Sequence, residues 1–173
     1  GESLGADGMS IEATYCNGSD SVAFQSWCPK PTSPAGSFVA LIYDLGWAVL
    51  KEQISIERLE QLHGYLDLGL PARMKEGDVK CLRLFGSLAS FHQNDLHRLF
   101  DAIPKDTPLV VDMTNFDGMG TLLYPTFVEF ASACRRLAWA GSVGARRHLE
   151  AMRLPHVFDS LQDAIAWVSS HAT

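Results

Sequence analysis

Pro108–Gly120 reads PLVVDMTNFDGMG, and the fold turns on this stretch. PLVVDMT is a continuous apolar run, as expected of a central strand buried on both faces. DGMG follows directly. Leu123, Phe127, Phe130 and Cys134 then recur at helical spacing. A glycine-rich junction between strand and helix can hold a phosphate, seat a phosphorylated side chain or let the chain turn tightly.

The flanking sequence repeats the alternation. VKCLRLFG is short, rich in strand formers and closed by Gly86. Leu96, Leu99, Phe100 and Ile103 predict a helix, with Asn94 as its cap. RLAWAG reads as a third strand and Val143 to Arg153 as a short helix. Ser160 caps a last helix carrying Leu161, Ala164, Ile165 and Val168, and Asp163 completes a capping-box-like pattern. Pro125 either kinks its helix or marks the true start. Alternating strands and helices predict an α/β sandwich, a mixed sheet with helices packed on it.

Upstream, the segment 1–36 is rich in Gly, Ser, Pro and Asn and is expected to be irregular or mobile. Segment 37–77 is expected to be a helical hairpin extension, followed by the α/β domain at 78–173. Phe38, Leu41, Ile42, Leu45 and Val49 mark one apolar helix face. Ile56, Leu59, Leu62 and Leu66 mark a second helix, with Ser55 as its cap and Gly69 and Pro71 at its end. A strand over FVALIYD is the alternative for the first helix.

Composition bounds the function. The 173 residues carry a net charge of -6, which argues against nucleic acid, because phosphate contacts need clustered Lys and Arg. No apolar run is long enough to insert in a membrane. No signal peptide is visible, and a cytoplasmic location is expected. Met9 is the expected natural start, with the first eight residues a scar or a trimmed segment. Cys16, Cys28, Cys81 and Cys134 form no CxxC pair, so no zinc ribbon is expected. Cys81 and Cys134 read as inert core residues. His63, His92, His97, His148, His156 and His171 show no metal-like pairing with an acid. No G-x-S-x-G elbow and no P-loop Lys-Ser/Thr is present. The residues therefore nominate no catalytic site, metal or cofactor. Arg135, Arg136, Arg146, Arg147 and His148 read as solvated basic positions.

From Asp78 to about Val168 the chain resembles a STAS domain, the fold of bacterial anti-sigma-factor antagonists. VKCLRLFGSL, PLVVDMTNFDGMG, RRLAWAGSVGARRHLEAMRL and VFDSLQDAIAWV carry the resemblance in order. It implies a STAS-like α/β sandwich and a regulatory protein-binding role in signal transduction and transcription. The implied partner is an anti-sigma factor or serine kinase. The family switch is a Ser or Thr in a pattern close to D-S-S-G. Here Asp117 and Gly120 match its ends, and Gly118 and Met119 take the middle positions. The phosphoacceptor position is thus Met119, which has no hydroxyl. Thr121 is the fallback phosphosite, on a different side of the helix. The expected partner face is Asp117, Gly118, Met119, Gly120, Thr121 and Tyr124. Asp117 also reads as the helix N-cap, and Gly118 and Gly120 as turn residues. The extension is expected to make a homodimer or to cover part of the STAS-like surface. Nucleotide or lipid binding is the alternative function.

Overall fold

The computed structural model describes residues 10–66 and 68–171. The Met9 start lies outside the described residues. The chain divides into two compact units, 1–68 and 69–173.

The first unit opens with a hairpin. Strand β1 (Ser10–Asn17) pairs antiparallel with β2 (Asp20–Trp27), from Ser10 opposite Trp27 to Asn17 opposite Asp20. Gly18 takes a left-handed φ of 64°, which the tight two-residue turn after Asn17 requires. Over residues 10–27 this corrects the expectation of an irregular segment at 1–36, whose first nine residues lie outside the described residues. Ile11, Ala13 and Tyr15 alternate with polar residues, and Gly18-Ser19 is a hairpin signal.

Helix α1 (Pro34–Val49) follows, with Ser33 accepting from the Gly36 N–H at 3.0 Å and Pro34 in the first turn. FVALIYD is therefore helical. Helix α2 (Gln53–Leu66) starts at Gln53, so Ser55 lies inside its first turn and is not the cap. The two helices pack through Tyr43. Its hydroxyl donates to the Leu59 carbonyl at 3.1 Å, and its ring stands edge-on to His63 at 5.8 Å.

The second unit begins before the expected residue 78. Strand β3 (Ala72–Lys75) pairs antiparallel with β4 (Lys80–Leu84) and so belongs to the sheet, not to the helical extension. Next come β5 (Gly86–Leu88), a 3-10 turn at Ser90–His92 and α3 (Gln93–Ala102). Asn94 lies within α3, because the 3-10 turn starts the helical path earlier and His92 stands at the cap position. Then follow β6 (Leu109–Met113), β7 (Phe116–Met119), a 3-10 turn at Thr121–Leu123 and α4 (Tyr124–Ala133). The chain closes with β8 (Leu137–Gly141), α5 (Val143–Ala151), β9 (Val157–Phe158) and α6 (Leu161–Ser170).

The main sheet has the order β3-β4-β6-β8-β9, parallel except for β3. Strand β6 is buried along its whole length, as its unbroken apolar run predicts. Its side chains alternate between two cores. Leu109, Val111 and Met113 join Leu82, Trp139, Phe100, Phe127 and Leu149 on the face that packs against α3, α4 and α5. Val110 joins Ala138 and Ala140 against Ala164 and Val168 of α6 on the other face. Ser160 caps α6 as expected, accepting from the Asp163 N–H at 3.1 Å and donating to the Asp163 carboxylate at 2.7 Å.

Candidate functional site

The expected site residues form one continuous segment beyond the C-terminal end of β6. Parallel α/β sheets place their binding residues at this edge, because the connecting loops leave the strands there. Thr114 begins a turn. Its N–H and hydroxyl both donate to Asp112, at 3.0 and 2.7 Å. The same carboxylate accepts from Arg83 at 2.8 Å and is almost fully buried. Asp112 thus ties the end of β6 to β4. Beside it sits Cys81, whose thiol is pushed up to about 11 by burial and then by the Asp112 charge. Burial also raises the Cys134 thiol. Neither forms a thiolate nucleophile near neutral pH, as their apolar sequence context predicts.

Strand β7 then pairs in parallel with β5, setting Gly86 against Phe116, Ser87 against Gly118 and Leu88 against Met119, with a bulge after Gly86. The Gly120 N–H donates to the Leu88 carbonyl at 3.2 Å. This pairing corrects two readings. Asp117 is an exposed strand residue and not the helix N-cap, because the ladder carries extended backbone to Met119. A 3-10 turn follows from Gly120, and α4 begins only at Tyr124. Pro125 marks that start and does not kink the helix. Nor do Gly118 and Gly120 supply left-handed angles. The left-handed glycine of the site is Gly86, with φ 58°.

Gly118 lies beside His148, with room for an ordinary contact. A Cβ there would lie 3.4 Å from Nε2 of His148. The His148 ring stands edge-on to Phe116 at 6.4 Å and to Tyr124 at 5.8 Å. Its Nδ1 is 2.8 Å from the Tyr124 hydroxyl. His148 therefore fixes the start of α4 against α5, with Tyr124 half-buried and its hydroxyl engaged. Sequence placed His148 in a solvated basic run. Its helical offset from Ala145 and Leu149, both core residues, is the signal that it turns partly inward. Of its neighbours, Arg146 pairs with Asp159 and lies 3.7 Å from Glu150. Arg147 is exposed.

Met119 is half-buried and packs with Tyr124 against the main core. The exposed members of the segment are Asp117, Gly120, Thr121 and Leu122. Leu122 is 70% exposed, an apolar side chain held out from a turn whose next residue, Leu123, is fully buried. Sequence reasoning passed over it, because a leucine beside Leu123 reads as core. The loops after β5 and β8 each present a similar residue, Phe91 and Val143. Three connections at the C-terminal ends of strands thus carry exposed apolar side chains.

Two other features bear on chemistry. The Thr126 hydroxyl lies 3.0 Å from Nε2 of His97 and braces α3 against α4. The pocket beside them, lined by His97, Asp101, Lys105, Thr126 and Glu129, holds about 80 Å³. Ligand sites span roughly 300–1,000 Å³. Among the described residues, no group of three or more His, Cys, Asp or Glu side chains is arranged to hold a metal ion. No helix among them is long and apolar enough to cross a membrane.

Comparison with solved structures agrees with this architecture. An anti-sigma factor antagonist from Mycobacterium paratuberculosis superposes with a TM-score of 0.51 at 15% identity, over 59% of this chain and 99% of that one. The matched share is about the length of the second unit. The fold is STAS-like. An uncharacterized protein of the DUF3478 family with a SpoIIAA-like fold, from Shewanella loihica, matches with a TM-score of 0.42 at 14% identity, over 58% of this chain and 94% of that one. The sequence matches no protein-family model and no curated protein.

Proposed function

We propose that the STAS-like unit is a non-catalytic regulatory module that binds a protein partner through the C-terminal edge of its sheet. The contact face is Asp117, Gly118, Met119, Gly120, Thr121 and Tyr124, and Leu122 is its apolar anchor. The exposure of Leu122 carries this reading. An apolar side chain fixed in water on a rigid turn has its hydration to gain from a partner. The partner class is an anti-sigma factor or serine kinase of a bacterial cytoplasm, by fold analogy with the antagonists. The outcome of binding is then control of transcription.

The usual phosphorylation switch is absent from this face. A phosphoserine adds about -1.5 to -2 charges and breaks an apolar or acidic contact. Met119 cannot acquire that charge, and its packing against the core gives it a structural duty. The module is therefore constitutively competent to bind. Thr121 is exposed and is the one hydroxyl of the segment open to a kinase.

The test is affinity capture from the native host with wild type, Leu122→Asp and Thr121→Asp, with the captured protein identified by mass spectrometry. Both substitutions fall on exposed positions, so the fold is retained. Capture of a sigma-regulating protein by wild type and at least tenfold weaker capture by Leu122→Asp is expected. Equal capture by Leu122→Asp places the contact elsewhere. Phosphate found on Thr121 of the native protein contradicts constitutive competence.

A further inference from the structure

Helix α1 has two apolar faces. Tyr43, only 3% exposed, faces α2 with Gly36, Val39 and Ala40 on its side. Phe38, Leu41, Ile42, Leu45 and Val49 lie on the opposite side and keep 40–66% of their surface in water. Phe38 touches Phe24 of the hairpin, with ring centroids 5.6 Å apart, so the hairpin flanks the stripe at its first turn. A helix that is apolar all round normally has both faces covered.

The spacing identifies the cover. Positions 38, 42, 45 and 49 follow the 4-3-4 rhythm of a coiled-coil seam. In heptad terms Phe38 and Leu45 are d, Ile42 and Val49 are a, and Leu41 is a flanking g. β-branched residues at a with leucine at d favour two parallel strands. Charge decides against a lipid surface. A membrane-surface helix carries Lys and Arg along its polar face. The only side chain of Pro34–Val49 charged near neutral pH is Asp44. That lone acid sits away from the stripe, so two copies bring no like charges into the seam. The stripe offers on the order of several hundred Å² per copy, the size of patch that marks an interaction site. A pair falls at the lower end of specific interfaces.

We propose that α1 pairs in parallel, in register, with α1 of a second copy of this chain, through Phe38, Ile42, Leu45 and Val49. Two heptads are short for a coiled coil, and the association is of micromolar strength. The homodimer expected from the sequence thus gains a defined face and direction. It does not rest on the partner-binding reading, because its variants leave Asp117–Tyr124 untouched.

Sedimentation equilibrium of the full chain from about 1 to about 200 µM, spanning the expected micromolar dissociation constant, tests it. Wild type is expected to move from 19.0 kDa to twice that mass as concentration rises. Ile42→Lys and Ile42→Glu are each expected to stay monomeric, because an in-register parallel seam sets residue 42 against its own copy. Mixed in equal amounts, the two are expected to associate again, Lys against Glu. Circular dichroism checks that both remain folded. A wild type that is monomeric throughout overturns the proposal, as does dimerisation unchanged by either substitution. Failure of the mixture to associate overturns the parallel register.

Discussion

The two units use similar apolar material in opposite ways. In the STAS-like unit every strand residue of β6 and β8 is buried, because one sheet serves two cores. In the first unit α1 is as apolar as a core element, yet Leu41 and Val49 stand mostly in water. A sheet with helices on both faces absorbs continuous apolar runs. A pair of helices offers one mutual face, so a helix with two apolar stripes leaves one of them uncovered. Burial is thus a property of layer architecture as much as of sequence hydrophobicity.

The sharpest way to break this comparison is to truncate one apolar residue in each unit. Phe127→Ala removes a fully buried ring of the main core and is expected to cost about 3–5 kcal/mol. Leu41→Ala, studied at low concentration where the chain is monomeric, is expected to change stability by no more than about 0.5 kcal/mol. Urea denaturation of both variants reads the difference. A large loss for Leu41→Ala would show that the stripe is core after all.

A smaller effect sharpens the electrostatic side of the sandwich. Asp112 is buried and holds Arg83 and Thr114, so Asp112→Ala removes the ion pair with Arg83 and the acceptor shared by the Thr114 N–H and hydroxyl. The expected loss is about 3 kcal/mol. Asp112→Asn, which keeps an acceptor oxygen, is expected to lose less. Equal stability of Asp112→Ala and wild type would remove the carboxylate from the account of how β6 ends.

The smallest expected effect lies at the C-terminus. Trp167 is sandwiched between His156 and His171, at 3.9 and 4.5 Å. Burial, and then the charge of His171, lower the His156 pKa below 6.5. Folding therefore favours neutral His156. Its contribution is complete above 6.5 and is lost as the pH falls through the lowered value. Thermal melts followed by tryptophan fluorescence should show a modest drop in midpoint from pH 7.5 to pH 5. An NMR titration should place His156 below 6.5 and move it upward in His171→Ala. A midpoint at or above 6.5 in wild type would contradict the stack.

Much of the second unit was legible in the sequence, because its signals are local and strong. PLVVDMT and RLAWAG are runs that a two-faced sheet buries, and Ser160 with Asp163 is a self-contained cap. The β1–β2 hairpin was equally local but was masked by a composition that reads as loop. Alternation and the two-residue Gly18-Ser19 turn outweigh the surrounding composition. The local structure of the candidate segment differs from its sequence reading. Asp117 reads as a cap when neighbours in sequence are considered alone. Its place is set by the ladder between Leu88 and Met119, residues 31 positions apart.

The sequence by itself determined the alternation of strands and helices, the buried character of β6 and β8, the cap of α6 and the absence of a hydroxyl at Met119. These follow from periodicity and side-chain chemistry within a few residues. Tertiary structure alone decided that β3 joins the sheet, that His148 seats Tyr124, and that Leu122 stands in water while Leu123 is buried. It also decided which of the two apolar stripes of α1 meets α2. The physical reason is common to all of these. Each is a choice between surfaces that the local sequence leaves equivalent, and only contacts between distant residues make one choice lower in free energy.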